Sequence, residues 1–265
     1  MDLFDELVKV MNTLHSPGGC PWDSEQTHKS LKPYLIEEAY EVIEAIDSGS
    51  DEHLTEELGD VLLQVVFHAQ IASSEGRFTI DDVVQGIIDK LKRRHPHVYG
   101  DITVENSGQV IKNWEEIKRK EKRDKKSGGS VLDGLPEMLP ALIKARRIQE
   151  KVSRVGFDWE QREDVMLKID EELEELKEAG RANDIDAIEE EIGDLLFSVA
   201  NYARFVSLCP EDALRKTIDK FRKRFLYIER ELPKRGKKLG DASLEEMDEL
   251  WEEIKRKDAG SENNK

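Results

Sequence analysis

The sequence predicts an all-α chain, and three features predict it. Apolar residues recur every three to four positions through most of the length, no segment alternates apolar and polar residues as a half-buried strand does, and the pattern is written twice. A length of 265 residues leaves room for one large domain or two of ordinary size.

The helices can be placed in order. Leu3, Leu7, Met11 and Leu14 mark a first stripe, which the segment from Ser16 to Trp22 (Ser-Pro-Gly-Gly-Cys-Pro-Trp) breaks. Ile36, Ala39, Ile43 and Ile46 make a second, ending near Gly49. Leu54, Leu58, Leu62, Val65, Ala69 and Ala72 make a third, opened by Ser50 with Asp51 and Glu52 in its first turn and closed near Gly76. Thr79 with Asp81 and Asp82 opens a fourth helix that stops before Pro96, and a fifth begins near Asn106 and carries Trp114 and Ile117. The second half repeats this scheme, and Ser243-Leu-Glu-Glu246 has the form of a capping box for its last helix.

The repeat is explicit. Residues 56–72 and 190–206 share 7 of 17 positions without a gap, and Glu37-Glu-Ala-Tyr-Glu41 matches Glu171-Glu-Leu-Glu-Glu175 at the same offset. Asp89-Lys-Leu-Lys-Arg-Arg94 resembles Asp219-Lys-Phe-Arg-Lys-Arg224, and Trp114-Glu-Glu-Ile-Lys118 matches Trp251-Glu-Glu-Ile-Lys255. Four blocks in one order mean duplication. The polar, glycine-containing stretch from Asp124 to Ser130 lies between the copies and reads as a flexible connection. The expected domains are therefore residues 1–127 and 128–265, with a linker at about 124–134.

Composition excludes several classes. Acids outnumber bases 58 to 41, for a net charge of -17, a field that repels a phosphate backbone and argues against nucleic acid as a partner. The most apolar run, Val61 to Ala72, is interrupted by Gln64, His68 and Gln70 and is far short of the ~20 apolar residues a membrane span needs. The charged N-terminus does not read as a secretory signal. Cys20 and Cys209 lie far apart, so no disulfide framework or zinc ribbon is expected, and a reduced, cytoplasmic setting is.

Chemistry concentrates in paired acids. Glu38 and Glu41 stand three apart on one helix and Glu57 and Asp60 three apart on the next, and the second half has Glu172 with Glu175 and Glu191 with Asp194. On a helical wheel these pairs border the apolar stripe, so two helices packed through their stripes would aim four carboxylates into one pocket. Like charges at this spacing destabilise a helix by roughly 0.2–0.5 kcal/mol per pair. Across a partly buried gap of about 6 Å each pair repels by roughly 3 kcal/mol at an effective dielectric of about 20. A divalent cation reverses the sign, and all-oxygen ligation suits Mg²⁺, with Mn²⁺ as a substitute. A solvated acidic face explains one such pair. It does not explain two copies that both keep four acids, the glycines Gly59 and Gly193, and the 19-residue step from Glu38 to Glu57 and from Glu172 to Glu191.

The second feature is basic. Lys90 with Arg94, and Lys220 with Arg224, are four apart and share a helix face suited to phosphate oxygens. Trp114 with Lys118 and Trp251 with Lys255 set an aromatic ring one turn from a cation, although a tryptophan on a helix stripe is more often core. His95 and His97 occur in the first copy only and read as structural or surface residues.

Two tandem copies of EExxE followed by ExxD, with Cys20-Pro-Trp-Asp23 early and Arg94-His-Pro-His97 after the third core helix, resemble the MazG family over roughly residues 3–258. The resemblance implies an all-α pyrophosphohydrolase fold around a four-helix core that packs as a homodimer. It also implies a reaction, nucleoside triphosphate and water to monophosphate and diphosphate, with broad base acceptance and a role in nucleotide-pool housekeeping. Carried over, the metal ligands are Glu172, Glu175, Glu191 and Asp194 in the second half and Glu38, Glu41, Glu57 and Asp60 in the first. Glu171 and Glu190 line the nucleotide site, and Glu171 or Glu172 orients the attacking water. Lys220 and Arg224, with Lys90 and Arg94 as their first-half counterparts, grip phosphates. Trp251 and Lys255 approach the base or sugar, and Lys118 matches a position that serves the other half's site.

Rival readings remain at this level. A di-iron carboxylate bundle needs paired Glu-x-x-His motifs, and the sole instance is Glu25 to His28. A helical interaction module without catalysis would bind a basic partner through its acidic face. A narrower dUTP or dCTP pyrophosphatase would keep the chemistry and restrict the substrate.

Overall fold

The structure, a computed structural model, describes residues 2–106, 108–110, 113, 114, 116, 117, 121 and 130–262, the last four through the backbone alone. It is all-α, as the sequence predicts, and no strand occurs among the described residues. The chain divides into two compact units, Met1–Ser127 and Gly128–Lys265. Residues 124–129 of the expected linker lie outside the described residues, and residues 131–134 form a turn.

In the first unit the helices are α1 (Leu3–His15), α2 (Pro21–Glu25), α3 (Lys32–Ser48), α4 (Asp51–Ser74), α5 (Ile80–Arg94) and the short α6 (Pro96–Tyr99). The described residues between 108 and 121 are helical too, where the fifth helix was expected. Helix α1 must stop where it does. Beyond it the chain doubles back so tightly that a Cβ at Gly19 would sit 2.2 Å from the carbonyl oxygen of Thr13, and Gly18 takes a φ of +86°. Thr79 and Asp82 cap α5 reciprocally.

The core of this unit is Met11, Leu31, Val66, Phe67 and Ile71, flanked by Phe4, Leu7 and Val8. The α1 stripe is therefore rotated from the expected one: Leu7 and Met11 face inward, whereas Leu3 is 82% exposed. The α3 stripe departs further, since Ile36 and Ile46 are 57% and 58% exposed. Helix α4 is split. Its C-terminal half buries Ala69 and Ala72 and packs Val66, Phe67 and Ile71 with Met11 of α1, while Leu58, Leu62 and Val65 stay exposed. Periodicity identified the helices correctly but not which apolar face the unit itself covers.

The second unit contains α7 (Ala141–Ser153), α8 (Arg162–Ala182), α9 (Ile185–Phe205), α10 (Pro210–Lys234), a 3-10 turn (Leu239–Asp241) and α11 (Leu244–Glu262). Helices α8 and α9 pair as α3 and α4 do, and α10 packs on α11 around Tyr227, Ile228, Leu232, Leu250 and Ile254. The capping box read from the sequence is present: the Glu246 amide donates to Ser243 Oγ (3.3 Å) and the Ser243 amide to the Glu246 carboxylate (3.0 Å). No described helix is long and apolar enough to cross a membrane.

One polar chain in the first unit has no counterpart among the described residues of the second. Arg77 donates to His28 Nε2, which leaves the proton of a neutral His28 on Nδ1, facing His68 Nδ1 at 2.8 Å. Burial, then the charge of His28, lowers the His68 pKa from its ordinary 6.5. A lowered histidine contributes stability that is complete above the unfolded value and is lost as the pH falls below it. Denaturant unfolding of the full chain should therefore show the first unit less stable at pH 5.5 than at pH 7.5. His68→Gln should flatten that dependence, and an unchanged slope would show that the pair does not titrate with folding.

Candidate metal centre

The site is built by two helix hairpins of one design. In each, a single residue in the left-handed region ends the first helix and the next residue caps the second: Gly49 (φ 69°) then Ser50, and Asn183 (φ 55°) then Asp184. Glycine and asparagine tolerate that conformation, and Ser50 and Asp184 accept the His53 and Ala187 amides at 3.3 and 3.2 Å. Two-residue turns hold each pair antiparallel and fix which residues of the second helix lie opposite those of the first.

That register brings acids together. Ligand oxygens of Glu38, Glu41 and Glu57 lie within 4.8 Å of one another, and so do those of Glu172, Glu175 and Glu191. Asp60 and Asp194 fall outside these triads, so each expected quartet is three glutamates with an aspartate nearby. Their fields are still felt: the Asp60 charge raises Glu38 and Glu57, and the Asp194 charge raises Glu191.

Electrostatics within the triads is unfavourable, as expected for like charges gathered together. Desolvation is the first cause in every case. It raises Glu38, joined by a hydrogen bond with Glu41 and opposed by one from Gln64. It raises Glu57, joined by the charges of Glu41 and Glu56. In the second unit Glu175 is raised by desolvation and then by a hydrogen bond with Glu172. Glu191 is raised by desolvation and the charges of Glu172, Asp194 and Glu190. An all-oxygen donor set, three carboxylates within reach of one ion and mutual repulsion that a cation would relieve together fit a hard divalent metal. A Cβ at Gly59 or Gly193 would meet nothing within 4 Å, so packing inside the unit does not explain the repeated glycine.

Lys168 escaped the sequence reading. Its Nζ lies 2.8 Å from Glu171 Oε1 and 2.9 Å from Glu172 Oε1, which raises its pKa, and Glu172 is only 3% exposed. The i+3 and i+4 spacings carry the signal. The repeat conceals it, because the equivalent first-half residue is Tyr34.

The basic residues are organised differently from the expectation of open phosphate ligands. Arg94 and Arg93 both pair with Glu121 at 2.7 Å, holding that carboxyl at about 2. Arg224 and Lys223 likewise pair with Asp258 at 3.1 and 3.0 Å. Arg224 also lies over the Trp251 ring at 5.6 Å, and Trp251 packs on the α10–α11 core beside Phe221. Lys255 pairs with Glu252, Lys90 is half-buried, and Lys220, Glu171 and Glu190 are exposed. Lys118 lies outside the described residues. His95 has a packing role, its ring against His97 and Trp114 and its Nδ1–H on the Leu91 carbonyl at 2.7 Å.

Fold and site together define an all-α protein with two hairpin-borne carboxylate centres suited to a divalent cation. The MazG nucleotide pyrophosphohydrolase domain matches residues 26–99 and 160–226, and the chain belongs to that family. It is 54% identical to the nucleoside triphosphate pyrophosphohydrolase/pyrophosphatase MazG of Thermotoga maritima over 253 residues, covering 96% of each chain. It is 44% identical to a nucleoside triphosphate pyrophosphohydrolase of Escherichia coli K12, over 97% of this chain and 99% of the relative. Similarity at 49% identity extends to an uncharacterized protein, YabN, of Bacillus subtilis, over 95% of this chain and 51% of that protein.

A raised carboxyl binds its proton more readily in the fold, so proton and metal compete for the triads at a pH above the ordinary 4.5. Millimolar Mg²⁺ should raise the melting temperature of the full chain at pH 7.5 and much less at pH 5. The doubly substituted Glu41→Gln/Glu175→Gln chain should show little shift at either pH, and a shift equal to that of wild type would place the ion elsewhere.

Proposed function

We propose that the chain is a Mg²⁺-dependent nucleoside triphosphate pyrophosphohydrolase of broad base specificity, converting a triphosphate and water to a monophosphate and diphosphate. Family membership and two relatives of that name matched over nearly their whole length support a hydrolase of nucleoside triphosphate phosphoanhydride bonds. The observation that carries the reading is the doubled glutamate triad on paired hairpins. Mn²⁺ is the expected substitute for Mg²⁺.

The roles are those that the family resemblance implies for these side chains. Glu172, Glu175 and Glu191, with Asp194 at the edge, would hold the metal in the second unit, as Glu38, Glu41, Glu57 and Asp60 would in the first. When bound, the ion would supply Lewis-acid charge that offsets the phosphates of the substrate. Glu171 or Glu172 orients the attacking water towards the α-phosphorus and receives its proton. The new P–O bond forms as the bond to the bridging oxygen breaks, and diphosphate leaves with its charge offset by Lys220 and Arg224. Asp258 and the Trp251 ring set the direction of the Arg224 guanidinium. Trp251 and Lys255 are the groups for base and sugar, with Glu190 at the nucleotide's edge. Lys90 and Arg94 would serve the first centre.

The exposed apolar residues support a homodimer. In the first unit Ile36, Tyr40 and Ile46 on α3 with Leu58 and Leu62 on α4, and in the second Leu196 and Phe197 on α9, are too many large apolar groups for helix faces left in water. Sedimentation should give twice the chain mass for wild type and a single chain for Ile36→Glu/Leu58→Glu; a wild-type monomer would exclude the dimer.

The enzymatic test is a panel of ribo- and deoxynucleoside triphosphates incubated with the protein and Mg²⁺, with products separated by chromatography. Monophosphate and diphosphate should appear with several bases. Glu175→Gln should lower turnover by about 100-fold or more with the circular dichroism unchanged. Nucleoside diphosphate with inorganic phosphate as products would refute attack at the α-phosphorus.

A further inference from the structure

The two glutamate triads are near-copies, yet one neighbouring position changes the charge beside them. In the second unit the Lys168 ammonium bridges Glu171 and Glu172 at 2.8 and 2.9 Å. The residue at the same place in the first unit is Tyr34, whose ring meets Trp22 edge-on at 5.9 Å. Glu172 is the most buried of the six triad glutamates in class, its side chain 5% exposed, while that of Lys168 is 32% exposed. A buried carboxylate requires a partner, and a lysine one turn away on the same helix supplies one permanently. Among the described residues no ion pair ties Glu38, Glu41 or Glu57 to a lysine or arginine.

We infer that Lys168 is an internal counter-ion of the second triad that competes with a divalent cation, so that the second triad fills at a higher metal concentration than the first. The inference rests on the metal reading proposed above. An incoming ion must take an oxygen of Glu172 against a resident positive charge less than 3 Å away from one of them, and repulsion between two cations at such range weakens binding of the second. The first triad meets no such competitor. The first unit is then already loaded over a range of metal concentration in which occupancy of the second still varies.

The test is Mn²⁺ binding to the full chain, followed by the electron paramagnetic resonance of free Mn²⁺. Glu41→Gln isolates the second triad and Glu175→Gln the first. The second triad should bind about tenfold more weakly than the first, equivalent to about 1.4 kcal/mol. Lys168→Met, in the Glu41→Gln background, should tighten Kd about tenfold, while Lys168→Arg should leave it unchanged. The reciprocal graft, Tyr34→Lys in the Glu175→Gln background, puts an ammonium three and four residues before Glu37 and Glu38 and should weaken Kd by a similar factor. If Lys168→Met does not fold, the graft decides alone. Kd values indifferent to both substitutions would overturn the counter-ion role and leave the metal reading intact. No Mn²⁺ bound by either triad would overturn both.

Discussion

Carboxylate repulsion is the constraint around which the rest is arranged. Six glutamates are drawn into two triads tight enough that an oxygen of each lies within 4.8 Å of the others, against both desolvation and mutual charge. The fold tolerates this because each triad spans a hairpin whose helices are held elsewhere. In the first unit the lower half of α4 is anchored through Val66, Phe67 and Ile71, so its upper half can carry acids at a cost to local stability alone. In the second, Val165, Ala179 and Ala200 are buried along the hairpin, and Lys168 offsets part of the charge.

The two units meet that constraint in different ways. The first places Gln64 against Glu38, a neutral partner that favours the charged form without neutralising it. The second has the smaller Ser198 at that position and a full positive charge one turn before the cluster. Both units repeat the clamp of a basic pair on an acid from a later segment, Arg93 and Arg94 on Glu121, Lys223 and Arg224 on Asp258. This clamp fixes the directions of side chains that would otherwise be long and mobile, at the expense of sharing them with a resident carboxylate.

Much of this was legible in the sequence. Helix type, order and ends follow from apolar spacing and from capping residues such as Ser50, Thr79 and Ser243, because these act through local geometry. The triads were legible because duplication separated Glu38, Glu41 and Glu57 from the many other acids. Burial was less so. Leu3, Ile36 and Ile46 fit helical stripes yet lie exposed, since periodicity shows that a helix has an apolar face and not what covers it. Asp60 and Asp194 share the spacing of their neighbours but fall outside the triads, a matter of side-chain length and rotamer that a wheel does not resolve. The Glu121 and Asp258 clamps join residues about thirty positions apart, and no local pattern announces them.

The hairpin turns carry a consequence beyond their size. Each consists of one left-handed residue and one cap, and successive residues of a helix point about 100° apart. One residue added at Gly49–Ser50 would swing Glu57 off the face it shares with Glu38, although both helices, and nearly every buried contact within them, could persist. Surface connections ordinarily drift in length between relatives. These two behave instead as gauges of registration, bound to a fixed count as firmly as the glutamates are bound to their identity.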